Sequence, residues 1–540
     1  MKKIVIMSIF SCLLIASCKS LQKTENSFDE LVFIDHQNLR YVEDKEIIQF
    51  QVSEIKKNMD KAAEYGIDSY LFFAKETFEA MLNYDFSVDD IGYIGSQSFP
   101  VDSEHRKTGE YLCKALHEVI DYAKTKNLSV FFHSNQFIFP PKVLNVIKPV
   151  VWGTAVCPGR EITWEIYRQK LGEFLTIFPD IAGFQVTGDE TQVSVLECKC
   201  DSCRHLSYVD RVNLLTKETA MVCEQHGKEV QMRTWQRMGE LEDEKHPSEM
   251  AKGLPDNVFF SIKNTKGDFH IVHPVDEKFI LSANPDRVIV EFDAWREYNG
   301  NNYFPCFMGK KWATRFKLLQ KLGIKRVAVR LNWNSNKNPI FEMPWGNELN
   351  IYTFIKLAEN PERCADDILE SFVRKNFPQS ARKAAFELYK FSAEFQTTIY
   401  YPEGRYNANH SRVQDEDAVN DLEYLQDKGF FTKLEDFEKR RQEIYAICEK
   451  ANGLVEDLGK SVPSECIRSL KTGILIEQHI SLGTTDKMEA IFWKDQGNVD
   501  EYRKVIARLN ERQETWRRFH PESYASMNGD DLLEQHRLNE

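Results

Sequence analysis

Side chains with acid, base, anion-binding or aromatic chemistry follow the short apolar runs of this chain. They lie where strands would end: Asp35, His36, Lys75, Glu76, His133, Asn135, Asp189, Glu190, Arg233, Trp235, Lys263, Asp268, Asp293, Glu297, Asn332 and Trp333. Carboxylates transfer protons, cations bind a carboxylate, and aromatic rings pack on the apolar face of a sugar. Any one of them could equally well cap a helix, so the pattern counts only as a group. As a group they suit a sugar acid as ligand.

The elements that must position these residues alternate between two periodicities. Eight β-branched or aromatic runs read as strands, at residues 31–34, 69–73, 129–133, 183–187, 230–234, 258–262, 288–292 and 327–331, with helical patterns between them. Such alternation is typical of parallel strands joined by crossover helices, and eight units close a barrel that commonly needs about 250 residues. The sequence therefore predicts an α/β fold, a (β/α)8 TIM barrel over residues 28–358. Residues that follow its strands would line one mouth.

The strand pattern ends after Asn360 and Pro361. Long, charged, amphipathic stretches follow, for example at residues 381–395 and 433–451. This periodicity predicts an α-helical C-terminal domain over residues 359–540. Because no low-complexity linker separates the two parts, we expect them to pack tightly.

The N-terminus has the features of an export signal. Two lysines precede an apolar run at residues 4–16, which ends at Ser17 and Cys18. The run is shorter than the roughly 20 residues that span a bilayer as a helix, and its end resembles a bacterial lipobox. We expect residues 1–18 to be a lipoprotein signal peptide with Cys18 lipidated, and residues 19–27 to be a tether. A conventional secretory signal is the alternative. The lipoprotein prediction places the protein at the outer membrane, either facing the periplasm or at the cell surface, with a lipid anchor as its only membrane contact.

The net charge of the chain is −13, and no basic run with interleaved aromatic residues occurs along it. Nucleic-acid binding needs a positive field that neutralises phosphates. The composition therefore excludes nucleic acid as an expected partner.

Four cysteines are candidate metal ligands. Cys198, Cys200 and Cys203 form a C-x-C-x-x-C run, and Cys157 is a candidate fourth member. This close spacing suits thiolate ligation of a structural zinc ion, whereas an oxidising compartment favours a disulfide between two of the sulfurs. Both readings stay open, and in both the cluster holds a loop in place.

Three longer motifs resemble a known family. They are SIKNTKGDFHIVHP at residues 261–274, VIVEFDAWREYNG at 288–300 and LNIYTFIKLAENPERCADDILESFVRKNF at 349–377. The first two resemble the paired motifs of the α-glucuronidases of glycoside hydrolase family 67, and the third is similar to the segment that leads into that family's helical domain. The resemblance covers roughly residues 183–377, because GFQVTGDE also places Glu190 near the position of the family's catalytic acid.

The resemblance implies a glycoside hydrolase that releases a uronic acid from plant or algal oligosaccharides. Carried over to this chain, it makes Glu190 the acid that protonates the leaving oxygen. Asp268 and Glu297 would activate water from the opposite face, which is an inverting arrangement. Arg233 and Lys263 match the family's cations and would bind the uronate carboxylate. This chemistry needs no cofactor.

Aromatic residues and a histidine at the strand ends are further candidate sugar contacts: His133, Trp235, Trp295 and Trp333. These tryptophans and Trp345 also support a different class of function, a glycan-binding lipoprotein without catalysis, in which they are stacking platforms. Buried tryptophans pack cores equally well. A binder has no use for opposed carboxylates, so the arrangement of the carboxylates distinguishes the two hypotheses.

The chain departs from the family in three ways. It lacks the additional N-terminal β-domain, and residues 186–188 read Val-Thr-Gly where the family has a lysine, so the sugar need not be 4-O-methylglucuronate. The stretch over residues 157–203 instead resembles bacterial barrel glycosidases with a cysteine cluster after the fourth strand.

A second family supplies the alternative enzyme. Gly188, Asp189 and Glu190 resemble the G-D-E of family 20 hexosaminidases. That reading implies a β-N-acetylhexosaminidase-like glycosidase with a retaining reaction, in which Asp189 is essential and Asp268 is dispensable.

Overall fold

The computed structural model describes residues 28–36, 45–73, 77–134, 139–148, 151–152, 155–187, 198–234, 253–266, 268–301, 303–332, 347–404, 431 and 433–519. Some residues named above lie outside this part of the chain: Cys18, Lys75, Glu76, Asn135, Gly188, Asp189, Glu190, Trp235 and Trp333. The signal peptide and the tether also lie outside it, so these predictions are carried forward untested.

Eight parallel strands form a closed barrel. They are β1 (Glu30–Asp35), β2 (Ser69–Phe73), β3 (Ser129–Ser134), β4 (Gly183–Thr187), β5 (Glu229–Thr234), β6 (Val258–Lys263), β7 (Val288–Asp293) and β8 (Arg326–Arg330). The strands follow one another in chain order, and β8 pairs with β1 to close the barrel. Every predicted strand is observed, and no bound differs from the prediction by more than one residue. The predicted fold class is confirmed.

The strands form because successive side chains alternate between the barrel interior and the surrounding layer of helices. One apolar cluster, whose buried members are all strand residues, lies inside the barrel: Val32, Ile34, Leu71, Phe131, Ile289 and Ala328. Their neighbours along the strands, such as Phe33 and Phe72, pack outward in the larger cluster that includes the helices. Burial of each large apolar side chain contributes about 1.5–3 kcal/mol, so both faces of the strands stabilise the barrel.

Helices surround the described part of the barrel. They are α1 (Lys45–Glu64), α2 (Glu104–Thr125), α3 (Glu161–Ile177), α4 (Tyr208–Gln225), α5 (Glu277–Ser282), α6 (Gly309–Lys321) and α7 (Glu348–Glu359). Short helices lie at Thr77–Ala80, Gly95–Ser98, Pro141–Val146 and Pro285–Arg287. Two small antiparallel pairs join Ser87–Val88 to Gly92–Tyr93 and Val151–Trp152 to Ala155–Val156.

The described part of the chain after α7 is helical. It contains α8 (Ala365–Asn376), α9 (Arg382–Tyr400), a 3-10 turn at Pro402–Gly404, α10 (Leu434–Gly459), α11 (Ser464–Asp495) and α12 (Val499–Phe519). None of the described helices combines the length and apolar character that crossing a bilayer would require.

The helical region packs on the segment that follows β7. Ser392 on α9 accepts a hydrogen bond from the backbone N of Phe307 at 2.9 Å. Gly473 on α11 lies so close to this segment that a Cβ there would be 2.0 Å from the backbone oxygen of Tyr303. Only glycine permits that approach. The helices therefore brace a loop that leads away from the barrel mouth.

Candidate active site

A buried ion pair crosses the barrel between β5 and β7. Arg233 donates from Nε to both carboxylate oxygens of Glu291, each at 3.0 Å, and Ser261 on β6 donates to Oε1 at 2.6 Å. Arg233 is 3% exposed and Glu291 is fully buried. Two charges removed from water are tolerated only when their hydrogen bonds are satisfied. The network therefore holds Arg233 in one orientation at the mouth.

Asp268 follows β6, the strand between those that carry this pair, and is held by donors on both of its oxygens. Lys263, the last residue of β6, and the backbone N of Phe269 donate to Oδ1, the latter at 2.9 Å. Tyr298 donates its hydroxyl to Oδ2 at 2.8 Å. The Asp268 side chain keeps 18% of its surface exposed, whereas Lys263 keeps 5%. Asp268 is thus an anchored carboxylate that solvent reaches.

The charges around Asp268 keep it ionised. Burial alone would raise its pKa, but the charge and hydrogen bond of Lys263 bring the pKa below its ordinary value. Burial lowers the pKa of Lys263 most, Asp268 opposes that effect, and the charge of Arg233 lowers it further. The two cations therefore lie within electrostatic reach of each other.

A second ion-paired carboxylate stands at the ends of β7 and β8. Arg330 donates from Nη2 to Glu297 Oε2 at 2.7 Å and from Nε to Asp293 Oδ1 at 3.0 Å. Burial lowers the pKa of Arg330, but Asp293 and Glu297 together raise it above its ordinary value. Asp293 also accepts from the backbone N of Glu297 at 2.8 Å. This arrangement places the Glu297 carboxylate against Arg330, with 3% of its side chain exposed.

Two local features lie next to the ion pair of Glu297 and Arg330. Arg296, immediately before Glu297, has a φ of +69°, a left-handed conformation that costs a non-glycine residue about 1–3 kcal/mol. The ring of Phe269 lies 4.8 Å from the Lys263 ammonium and 4.6 Å from the Arg330 guanidinium. The Phe269 ring thus contacts both the cation that binds Asp268 and the cation that binds Glu297.

The ends of β1 and β8 are joined by hydrogen bonds from neutral donors. Asp35 accepts from Asn332 at 2.6 Å, from Asn58 at 2.9 Å and from the hydroxyl of Tyr70. Asn332 in turn accepts from the backbone N of His36 at 2.5 Å. Among the described residues, two asparagines and a tyrosine thus donate to the Asp35 carboxylate.

Two histidines face each other in this part of the mouth. The rings of His36 and His133 have centroids 6.2 Å apart, and His133 contacts Thr187 at the end of β4 through Nε2 at 2.8 Å. Burial, and after it the charges of Arg330 and Arg233, hold the pKa of His36 well below its ordinary value. His36 is therefore neutral at pH 7.

The structure brings together five of the predicted site residues, His133, Arg233, Lys263, Asp268 and Glu297, at the carboxyl ends of the strands. Trp295 lies in the loop after β7, where its indole Nε1 donates to Asn301 at 2.7 Å and its side chain is 7% exposed.

Sequence reasoning missed four residues that hold this set: Glu291, Tyr298, Arg330 and Tyr401. Glu291 and Arg330 are charged residues inside apolar strand runs, a signal that could have identified them, because a buried charge needs a partner. Tyr298 stands inside the VIVEFDAWREYNG motif. Tyr401, which donates to the backbone oxygen of Tyr298 at 2.9 Å from 103 residues away, left no sequence signal.

The four predicted cysteines also converge. The sulfurs of Cys157, Cys198, Cys200 and Cys203 all lie within 4.8 Å of one another, and none of the four forms a disulfide. They stand before α3 and α4, the helices on either side of β4, and are candidate ligands for a metal ion.

Three solved glycoside hydrolase structures resemble this chain. A GH138 enzyme targeting pectin rhamnogalacturonan II matches with a TM-score of 0.59 and 13% identity, over 94% of this chain and 78% of that chain. An O-GlcNAc hydrolase from Thermobaculum terrenum matches with a TM-score of 0.44 and 10% identity, over 91% of this chain and 90% of that chain. A β-N-acetylhexosaminidase from Bacteroides fragilis NCTC 9343 matches with a TM-score of 0.38 and 17% identity, over 64% of this chain and 69% of that chain.

The sequence matches no protein-family model and no curated protein. The match to the GH138 enzyme shows that the two chains share a fold over almost the whole of this one.

Proposed function

We propose that this protein is a glycoside hydrolase that releases a uronic acid from plant or algal oligosaccharides with inversion of the anomeric centre. The observation that carries the proposal is Asp268. It is a solvent-accessible carboxylate, anchored by Lys263 and Tyr298 and kept ionised by its surroundings. A general base needs this combination of a fixed position, an ionised state and access to water.

The proposed reaction uses Asp268 to accept a proton from a water molecule. The water oxygen attacks the anomeric carbon, the bond from that carbon to the leaving oxygen breaks, and Glu190 gives its proton to the leaving oxygen. In the sequence Glu190 follows β4 and Asp268 follows β6, so the two belong to different strand ends of one barrel. An inverting pair of carboxyl groups is about 6.5–9.5 Å apart, which leaves space for the water.

Glu297 assists from the neighbouring strand end. Its 3% exposure against 18% for Asp268 makes Asp268 the carboxylate that contacts the water. Because Glu297 is bound to Arg330, its negative charge is fixed in place next to the reacting centre. We assign it to the water-activating pair in this supporting position.

Two cations at the ends of adjacent strands, Arg233 and Lys263, support a carboxylated sugar as substrate. These cations come from adjacent strands, and the charge of Arg233 contributes to lowering the pKa of Lys263 after burial. A substrate carboxylate would accept hydrogen bonds from both, with arginine offering a planar fork and lysine a point charge. A neutral sugar lacks that carboxylate.

The first substrates to test are pectic, because the GH138 enzyme that shares this fold targets pectin rhamnogalacturonan II. The hydrolysis proposed here proceeds through carboxyl groups and requires no cofactor. We assign any metal at the cysteine cluster a structural role.

A product screen tests the proposal. Purified protein would be incubated with uronic-acid-capped oligosaccharides, with the same compounds after reduction of the carboxylate to an alcohol, and with 2-acetamido glycosides. We expect free uronic acid from the first group alone. Hydrolysis of the 2-acetamido glycosides would favour the hexosaminidase alternative, and binding without release would favour the glycan-binding alternative.

We also propose that the protein is an exported outer membrane lipoprotein anchored through Cys18. In cells that express the full chain, the protein should fractionate with the outer membrane, and Cys18→Ala should leave it there in much smaller amount. Membrane association unchanged by Cys18→Ala would contradict the anchor.

A further inference from the structure

The sulfur atoms of the cysteine cluster are arranged as a cage. Cys157 Sγ lies 3.4 Å from both Cys200 Sγ and Cys203 Sγ, and all four sulfurs lie within 4.8 Å of one another. A disulfide joins two sulfurs at about 2.05 Å and leaves the remaining thiols without a role. Four thiolates around zinc, each about 2.3 Å from the ion, stand about 3.8 Å apart in a tetrahedron. The observed spacing fits the second arrangement.

A buried cation lies next to the cage and would offset part of the negative charge of four thiolates. Arg211 on α4, itself buried, donates from Nη1 to the backbone oxygen of Cys198 at 2.8 Å and from Nη2 to that of Cys203 at 2.5 Å. Its charge therefore stands directly behind two of the ligands. Groups that orient ligands in this way are typical around metal centres.

The two segments that supply the cysteines, one before α3 and one before α4, are in close contact. A Cβ added to Gly159 would lie 2.8 Å from the Cβ of Ser202 and 3.0 Å from Cys203 Sγ. The Cys157 turn is also tied to the start of α3, because Thr163 donates to the backbone oxygen of Cys157 at 2.7 Å. Glycine is thus required where the turn before α3 contacts the run before α4.

We propose that Cys157, Cys198, Cys200 and Cys203 bind one structural zinc ion. Tetrahedral thiolate sites select zinc or iron among the common metals, and zinc is the ion used where only structure is needed. All four positions are taken by protein, so the ion has no open coordination site for catalysis.

The zinc would connect the two chain segments on either side of β4. Cys157 precedes α3, which leads into β4, and Cys198 follows the segment that contains Glu190. The ion would therefore fix Cys198, at the C-terminal end of the segment after β4 that contains the proposed catalytic acid. This consequence for activity rests on the proposed function, whereas the binding of zinc does not.

Metal analysis of protein isolated from the cell envelope without chelator tests the site. We expect about one zinc per chain. Cys200→Ser should lose most of it, and Cys364→Ser, at an exposed cysteine away from the cluster, should retain it. One iron per chain, or no metal together with a mass that shows paired cysteines, would overturn the proposal.

A second measurement uses the unmodified protein, in case Cys200→Ser does not fold. Titration of the native protein with an organomercurial, in the presence of a zinc indicator, should release one zinc as about four thiols react in addition to the exposed Cys364. Release of no zinc would contradict the site whether or not the protein is a glycosidase. Zinc at full stoichiometry in a protein inactive on every glycoside would retain the site and reject the proposed function.

Discussion

The two halves of the barrel mouth hold their polar groups by different means. In the ion-paired half, at the ends of β5 to β8, Arg233, Lys263 and Arg330 each contact a carboxylate. In the hydrogen-bonded half, at the ends of β1 to β4, the described residues include Asp35, which accepts from two asparagines and a tyrosine, and His36, which is uncharged. The proposed acid Glu190 also follows β4 but lies outside the described residues. Among the described residues, fixed charges suit the water-activating base and a substrate carboxylate, whereas neutral donors and acceptors suit sugar hydroxyls.

The largest expected effect comes from the carboxylate of the ion-paired half. Asp268→Asn should lower kcat about 10²–10⁴-fold on all substrates, including aryl glycosides with good leaving groups, because the base is lost. Glu190→Ala should recover activity on those activated substrates, which need no protonation of the leaving oxygen. Steady-state kinetics with both variants measure the contrast.

The matched control for Asp268→Asn is Asp35→Asn in the hydrogen-bonded half. It should change kcat little and lower the free energy of unfolding by about 1–3 kcal/mol, because an amide would meet donors that now bond a carboxylate. Equal losses of kcat in the two variants would show that the division between the halves is wrong.

A smaller effect is expected from Arg233, one of the two cations that we assign to the substrate carboxylate. Removing Arg233 alone would leave Glu291 buried without its charge partner, so the informative variant is Arg233→Met combined with Glu291→Gln. Loss of a charge-assisted contact of about 1.5–3 kcal/mol should lower kcat/KM about 10–150-fold more on the uronate than on its carboxyl-reduced analogue. Identical losses on the two substrates would reject the uronate assignment.

The pH profile tests the pair of Lys263 and Asp268. Because Lys263 lowers the pKa of Asp268 and burial opposes it, Asp268 stays ionised to a lower pH than an ordinary aspartate. The acid limb of kcat/KM should therefore move to higher pH in Lys263→Met, where burial acts without the compensating charge. Lys266→Met, three residues along the same loop, should leave the limb in place. A limb that does not move in Lys263→Met would exclude Asp268 as the titrating base.

The smallest effect concerns the hydroxyl that Tyr298 donates to Asp268. Tyr298→Phe removes one hydrogen bond to the ionised Asp268, which keeps its bonds to Lys263 and to the backbone N of Phe269. It should lower kcat about 2–10-fold with a slight rise of the acid limb. Tyr401→Phe removes a hydroxyl that bonds the backbone of Tyr298 and not Asp268, so it should affect the limb less. The reverse order would show that the helical region acts on Asp268 by another route.

The sequence predicted the barrel well because strand formation leaves a local signal. Runs such as VIVEFD over β7 and GFQVT over β4 are short, apolar and β-branched or aromatic, and their spacing reflects the helices between them. The strand ends then placed Lys263 and Asp268 among the candidate residues at the mouth, and the family resemblance implied their roles. The fold class and the wider set of candidates thus followed from local pattern.

The partners of those residues could not be predicted, because they depend on which strands meet across the barrel. Glu297 bonds Arg330 from 33 residues away, and Arg233 bonds Glu291 from 58 residues away. Such distances in sequence carry no periodic signal. The convergence of the cysteines was easier to predict, because three of the four lie within six residues.

The most direct test of the central claim is NMR of the first anomer released from a uronic-acid-capped oligosaccharide by the unmodified protein. The account predicts free uronic acid whose initial anomer is opposite in configuration to the bond cleaved, before mutarotation mixes the two forms. A retained anomer would contradict the assignment of Asp268 as the base that activates water.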